Sequence, residues 1–98
     1  MLETPNAISS IVQMLDNERE TLRNEAILLL IAMTRTSQEL QKIVVFENVF
    51  DKLLRIIEVQ RYGEGGVVVE DCLVLLQTLV RDNPSNQNFF REYEVTFL

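Results

Sequence analysis

Histidine is absent from this chain, and with it go the commonest general base near neutral pH and the commonest metal ligand. Any chemistry would rest on carboxylates. The one suggestive pair, Glu70 and Asp71, is adjacent, so on a helix the two side chains diverge by about 100° and do not converge on a substrate atom; acids there suit the solvated first turn of a helix and its dipole. Cysteine occurs once, at Cys72, with no histidine or second thiol to activate it, so a buried, inert role is expected. A lone cysteine and the lack of an Asn-x-Ser/Thr sequon agree with a reducing compartment, Asn83-Pro84-Ser85 being disqualified by its proline. The glycines gather at Gly63-Glu64-Gly65-Gly66 without a following Lys-Ser/Thr, which reads as a linker and not as a phosphate loop. No cofactor and no metal site is expected.

Basic residues are few and scattered: 9 Lys and Arg against 15 Asp and Glu give a net charge of −6. Such a balance repels a phosphate backbone and lacks the basic cluster that an anionic membrane surface attracts, which leaves protein as the expected partner class. The longest apolar run, Ala26 to Met33, is too short to cross a bilayer. Met1-Leu2-Glu3-Thr4-Pro5 has neither the basic start nor the long apolar stretch of a secretory signal, so a cytoplasmic location is expected.

What the chain does have is repetition. Asn24 to Arg35 aligns with Glu70 to Arg81 at a constant offset of 46, and Gln41, Ile43 and Val44 map by the same offset onto Gln87, Phe89 and Phe90. Ile11 to Leu15 aligns with Leu53 to Ile57 at an offset of 42, the second copy having gained four residues around the glycines. Helical units of this period are the mark of stacked armadillo or HEAT repeats, so the spacing predicts an all-α, right-handed superhelix of about two repeats. Repeat one is expected over about 5–47 and repeat two over about 48–93, with 94–98 as a tail. Since such stacks usually need roughly three units, a piece of a longer solenoid is expected, with self-association through exposed repeat ends as one consequence.

Local patterns divide each copy into helices. Thr4-Pro5 is a cap and first helical position ahead of Ile8, Ile11, Val12 and Leu15, with an end near Asp16-Asn17. Glu20 to Thr34 reads as a helix apolar all round its middle, which implies enclosure between neighbours. Thr36 to Glu39 reads as a capping box opening a short helix to Phe46. Asn48 with Asp51 is expected to cap the next helix, which turns Phe50, Leu53, Leu54, Ile56 and Ile57 inward. Val67-Val68-Val69 favours a strand locally, yet the aligned first copy predicts a helix to about Arg81. Asn83-Pro84 opens the last one, where Phe89 and Phe90 replace Ile43 and Val44 and are expected in the core.

In stacks of this kind the inner helices line a concave face on which equivalent positions form a ladder. Arg35 answers to Arg81, Glu25 to Asp71, and Gln77 lies one turn before Arg81, so these five are the candidate partner-binding residues. A basic residue in the last turn is also what any helix dipole favours.

Three stretches, Gln41 to Phe50, Gly65 to Gln77 and Ser85 to Phe90, supported by Arg23-Asn24, Leu28 to Leu30 and Thr34-Arg35, resemble the armadillo-like globular head of the general vesicular transport factor family of Golgi tethers. The resemblance covers about Leu22 to Glu92. It implies a non-enzymatic, protein-binding segment of a vesicle-tethering factor in endoplasmic reticulum to Golgi and intra-Golgi transport. It further implies a cytoplasmic protein held peripherally on Golgi and intermediate-compartment membranes, whose full-length form meets a Rab-family GTPase, golgins and SNARE fusion proteins. The other readings are a generic armadillo or HEAT scaffold without a vesicle role, and a small carboxylate-dependent hydrolase.

Overall fold

A computed structural model of the chain describes residues 4–60 and 66–97, with side chains described over 7–60 and 66–92. Its described residues form six α-helices: α1 (Thr4–Gln13), α2 (Glu20–Thr34), α3 (Gln38–Phe46), α4 (Val49–Gln60), α5 (Gly66–Val80) and α6 (Pro84–Phe97), with a single 3-10 turn, Met14–Asp16, after α1. There is no strand among them, and the Val67 to Val69 run is helical as the repeat predicts. The Thr4-Pro5 cap and Gly63 to Gly65 of the expected linker lie outside the described side chains and residues; Gly66 begins α5.

The helix ends have local causes. The first helical segment reaches Asp16, but its last turn tightens to 3-10 geometry before Asn17 turns extended and its Oδ1 accepts the Arg19 N–H at 2.8 Å. α2 has the limits that the apolar pattern predicts. At α3 the structure corrects the sequence reading: the cap is Ser37, whose Oγ accepts the Leu40 N–H at 3.2 Å, and not Thr36 paired with Glu39. Thr36 still belongs to the bend that carries the chain out of α2, and Ser37, immediately before Gln38, has the extended backbone (φ −127°, ψ 108°) that a cap requires.

Asn48 serves two helices. It stands immediately before α4, as expected of the residue that opens it, and its carbonyl takes the Lys52 N–H; its φ of 67° is left-handed, and its N–H returns to the Val45 carbonyl at 3.1 Å, so the same residue also closes the turn after α3. Asparagine tolerates this conformation better than most side chains. Asp82, at φ 51°, stops α5 in the same region, and then Asn83 opens α6 as expected, its Oδ1 accepting the Asn86 N–H at 3.3 Å.

The helices stack copy upon copy: α2 lies against α5, α3 against α6, and the 3-10 turn after α1 against α4. The molecule measures 38 × 33 × 19 Å, so it is about two helix diameters thick. One continuous core runs through it from Ile8, Val12 and Leu15 through Ile27, Leu30, Val44, Phe50 and Leu53 to Cys72, Leu75 and Leu79. Phe90 meets the Phe50 ring edge-on at 5.0 Å between centroids and Phe89 leans on it at 6.2 Å, with Phe90 packed against the core and Phe89 at its rim. Burial pushes the Cys72 thiol up to about 11, against a smaller opposing pull from Arg23, while Asp71 adds to the rise. Ala26, its equivalent, is buried too.

One expectation fails in part. α2 and α5 lie side by side but are not enclosed: Leu28, Leu29, Leu73 and Val74 are exposed. With two copies, each of these helices has, among the described residues, a stacked neighbour on one flank only.

Candidate docking groove

The chain leaves α2 at Arg35, whose N–H closes on the Ile31 carbonyl at 3.1 Å, and leaves α5 at Arg81, whose N–H closes on Gln77 at 2.9 Å. Because the two helices pack together, their ends meet. Arg35, Thr36 and Gln38 from one copy and Gln77, Thr78, Arg81 and Asp82 from the other line an open groove of about 680 Å³, with Ile31 and Val74 as its apolar wall and Gln41 reaching it from below. Two arginines and one aspartate thus line it. Among the described residues neither arginine makes an ion pair or a side-chain hydrogen bond. In a chain of net charge −6 the groove is a local basic feature, open to carboxylates that approach from outside.

A buried polar chain holds its floor. Thr34 Oγ1 donates to the Leu30 carbonyl at 2.7 Å and Gln41 Nε2 to the Thr34 carbonyl at 2.7 Å. Asn83 Nδ2 then donates to Gln41 Oε1 at 2.9 Å, and Asn86 Nδ2 to the Leu79 carbonyl at 2.7 Å. Among the described residues no buried side-chain nitrogen or oxygen lacks a partner, so this network fixes the two copies relative to each other at little desolvation cost. Gln38 Nε2 adds a bridge to the Asp82 carbonyl at 2.9 Å, again between copies.

Of the five candidate residues the structure brings together Arg35, Gln77 and Arg81. Glu25 and Asp71 sit ten residues nearer the helix starts, about 15 Å away along the axis, Glu25 exposed and Asp71 half-buried beside Cys72. Gln38, Gln41 and Asn83 are not among the candidate partner-binding residues read from the sequence. The signal for Gln41 is present: a glutamine that recurs at the offset of 46, two places before an apolar pair, marks a polar group both copies use, and Gln87 Nε2 binds the Val80 carbonyl at 2.8 Å as Gln41 Nε2 binds that of Thr34.

Among the described residues no group of three or more His, Cys, Asp or Glu could hold a metal ion, and no helix is long and apolar enough to cross a membrane. A second, smaller groove brings Asp16 and Glu18 near Arg23, Lys52 and Arg55, with Lys52 Nζ paired to the Asp16 carboxylate.

Stacked helix triplets with a polar groove between equivalent helix ends define an armadillo-like, all-α repeat segment. No protein-family model matches the chain. Individual proteins do. Human general vesicular transport factor p115 is 50% identical over 92 residues, which cover 94% of this chain and 10% of that protein. Intracellular protein transport protein USO1 of Saccharomyces cerevisiae is 44% identical over 92 residues, covering 94% of this chain and 5% of that protein. A crystal structure of Uso1 superposes with a TM-score of 0.85 at 44% identity, covering 94% of this chain and 13% of that one. The chain belongs to the general vesicular transport factor family, and spans about a tenth or less of the length of these two curated relatives.

Proposed function

We propose that this chain is a non-enzymatic docking segment of a vesicle-tethering factor, acting in endoplasmic reticulum to Golgi and intra-Golgi transport. A partner protein lays an acidic, extended segment across the groove at Arg35, Gln77 and Arg81. The observation that carries the reading is that two arginines, neither ion-paired among the described residues, line one groove that the repeat itself builds. Glu25 and Asp71 extend the ladder toward basic groups of the same partner. The division into units over 5–47 and 48–93, with 94–98 as a tail, belongs to this proposal. So does a peripheral place on Golgi and intermediate-compartment membranes, with a Rab-family GTPase, golgins and SNAREs as partners of the whole protein.

The test is retention of purified Rab-family GTPases, loaded with a GTP analogue or with GDP, on immobilised chain. Retention that depends on the GTP analogue and is lost with Arg35→Glu and Arg81→Glu together supports the reading. Protein retention without nucleotide dependence favours a generic armadillo scaffold, and retention unchanged by the double substitution removes the groove from the account.

A further inference from the structure

Positions equivalent in sequence differ in burial, and the differences sort by side. Leu75 is 0% exposed and its equivalent Leu29 47%; Leu53 and Ile56 are buried while their equivalents Ile11 and Met14 are half-buried. In each case copy two is covered and copy one is open, because among the described residues only copy two has a unit stacked before it. A second set runs the other way. Ile27 is 0% exposed and Leu73 52%; Val12 and Leu15 are buried while Leu54 and Ile57 are half-buried; Gln41 is buried and Gln87 exposed. Here copy one is covered, because among the described residues only copy one has a unit stacked after it. The two ends of the molecule are therefore the two unmatched halves of the interface that α2 and α5 already form inside it.

We propose that a second copy of this chain stacks head to tail on the first, the Leu54, Ile57 and Leu73 end of one molecule covering the Ile11, Met14 and Leu29 end of the next. Every molecule carries both halves, and the internal seam shows that they fit. The polar latch has its counterpart as well. Inside the chain Asn83 caps α6 with Oδ1 and donates Nδ2 to Gln41 Oε1 at 2.9 Å. Across the contact the equivalents are Ser37, whose Oγ accepts the Leu40 N–H and whose O–H remains to donate, and Gln87, whose Nε2 is held by Val80 and whose Oε1 accepts nothing among the described residues. Because the two surfaces differ, the contact is heterologous and leaves a free end at each step, so it builds rows and not closed dimers. This holds whatever the groove binds.

Sedimentation of the full chain from low micromolar to submillimolar concentration tests it. The expected result is a mass that climbs past the dimer as concentration rises. Leu29→Glu and Leu73→Glu, both at positions exposed in the monomer, each keep the helical circular dichroism and each run as monomers alone; mixed, they form a dimer and nothing larger, since the intact end of one meets the intact end of the other. Gln87→Ala weakens the association about 2- to 10-fold, the loss of one hydrogen bond. A wild-type chain that stays monomeric throughout overturns the proposal whatever the variants do. A single variant that still associates, or a mixture that stays monomeric with both variants folded, overturns it equally.

Discussion

α2 and α5 are written on one template and bury different faces of it. α2 hides Ala26, Ile27, Leu30 and Thr34, whereas α5 hides Cys72, Leu75, Leu76 and Leu79. Two of these positions coincide at the offset of 46, Ala26 with Cys72 and Leu30 with Leu76; the others do not. The shared pair serves the core that each copy builds for itself. The unshared positions belong to the seam between copies, where a residue is covered only if a neighbour stands on its side. A helix in a stack therefore has two kinds of apolar position, and hydrophobic periodicity gives both the same appearance.

The largest effect expected from this difference is at the seam. Ile27→Ala should cost about 2–5 kcal/mol, while Leu73→Ala, at the equivalent but exposed place, should stay within about 0.5 kcal/mol. Urea unfolding at low concentration measures both. Leu30→Ala and Leu76→Ala, at a shared position, should each cost about 2–5 kcal/mol, a large share of the roughly 5–15 kcal/mol that holds a small domain together. Equal costs for Ile27 and Leu73 would erase the distinction between core and seam.

The polar groups sharpen it next. Gln41→Ala leaves the Thr34 carbonyl and the Asn83 amide buried without partners, for an expected loss of about 2–3 kcal/mol. Gln87→Ala removes the same local bond at an exposed place and should cost about 0.5–1 kcal/mol. Asn83→Ala tests the latch from its other end and should resemble Gln41→Ala, since it removes the same contact together with a cap. If the two glutamines prove equivalent in thermal melts, the bridge between copies contributes nothing beyond each helix end.

Much of this architecture is legible in the residues. The limits of α2, the end of α3 at Phe46 and the Asn83-Pro84 start of α6 follow from apolar spacing and cap chemistry, which act over a few residues. The helix at Val67 to Val69 follows from the repeat, because packing on a helical template outweighs a short β-branched run. The left-handed turns at Asn48 and Asp82 are not legible in the same way, since the cap signal by which Asn48 opens α4 does not say that the same residue also closes the turn after α3. The groove is half legible: the offset pairs Arg35 with Arg81, but Gln38 and Asn83 enter through contacts between copies, and those contacts depend on how the units are set side by side.

Cys72 and Ala26 allow the comparison to be read by pH. The thiol is raised from 9.0 to about 11 in the folded chain, so its protonated form is the one the fold favours. Its contribution is whole below pH 9 and falls as pH rises from about 9 toward 11, by about 3 kcal/mol at most. Urea midpoints taken across that window should fall for the wild type and fall less for Cys72→Ala, the residue that copy one carries. Slow alkylation of the native thiol at pH 8, with rapid alkylation in denaturant, is the companion result.

The smallest effect concerns the caps, where the two copies chose different residues for the same task. Ser37→Ala removes the bond from Oγ to the Leu40 amide and should cost about 1 kcal/mol, whereas Thr36→Ala, one residue earlier in an exposed bend, should stay within about 0.5 kcal/mol. A reversed order would restore the Thr36 to Glu39 capping box. Ser37→Asn gives copy one the residue that copy two uses: the cap survives, because asparagine and serine serve about equally there. What asparagine adds in copy two is an amide nitrogen, beside the capping oxygen, that crosses the seam to Gln41 Oε1, and among the described residues no side-chain hydrogen bond reaches Ser37 from another copy. A stability gain from Ser37→Asn at low concentration would mean that the seam is not what distinguishes Asn83 from Ser37; no gain there, with tighter association at high concentration, would place the difference in the neighbour that one copy has and the other lacks.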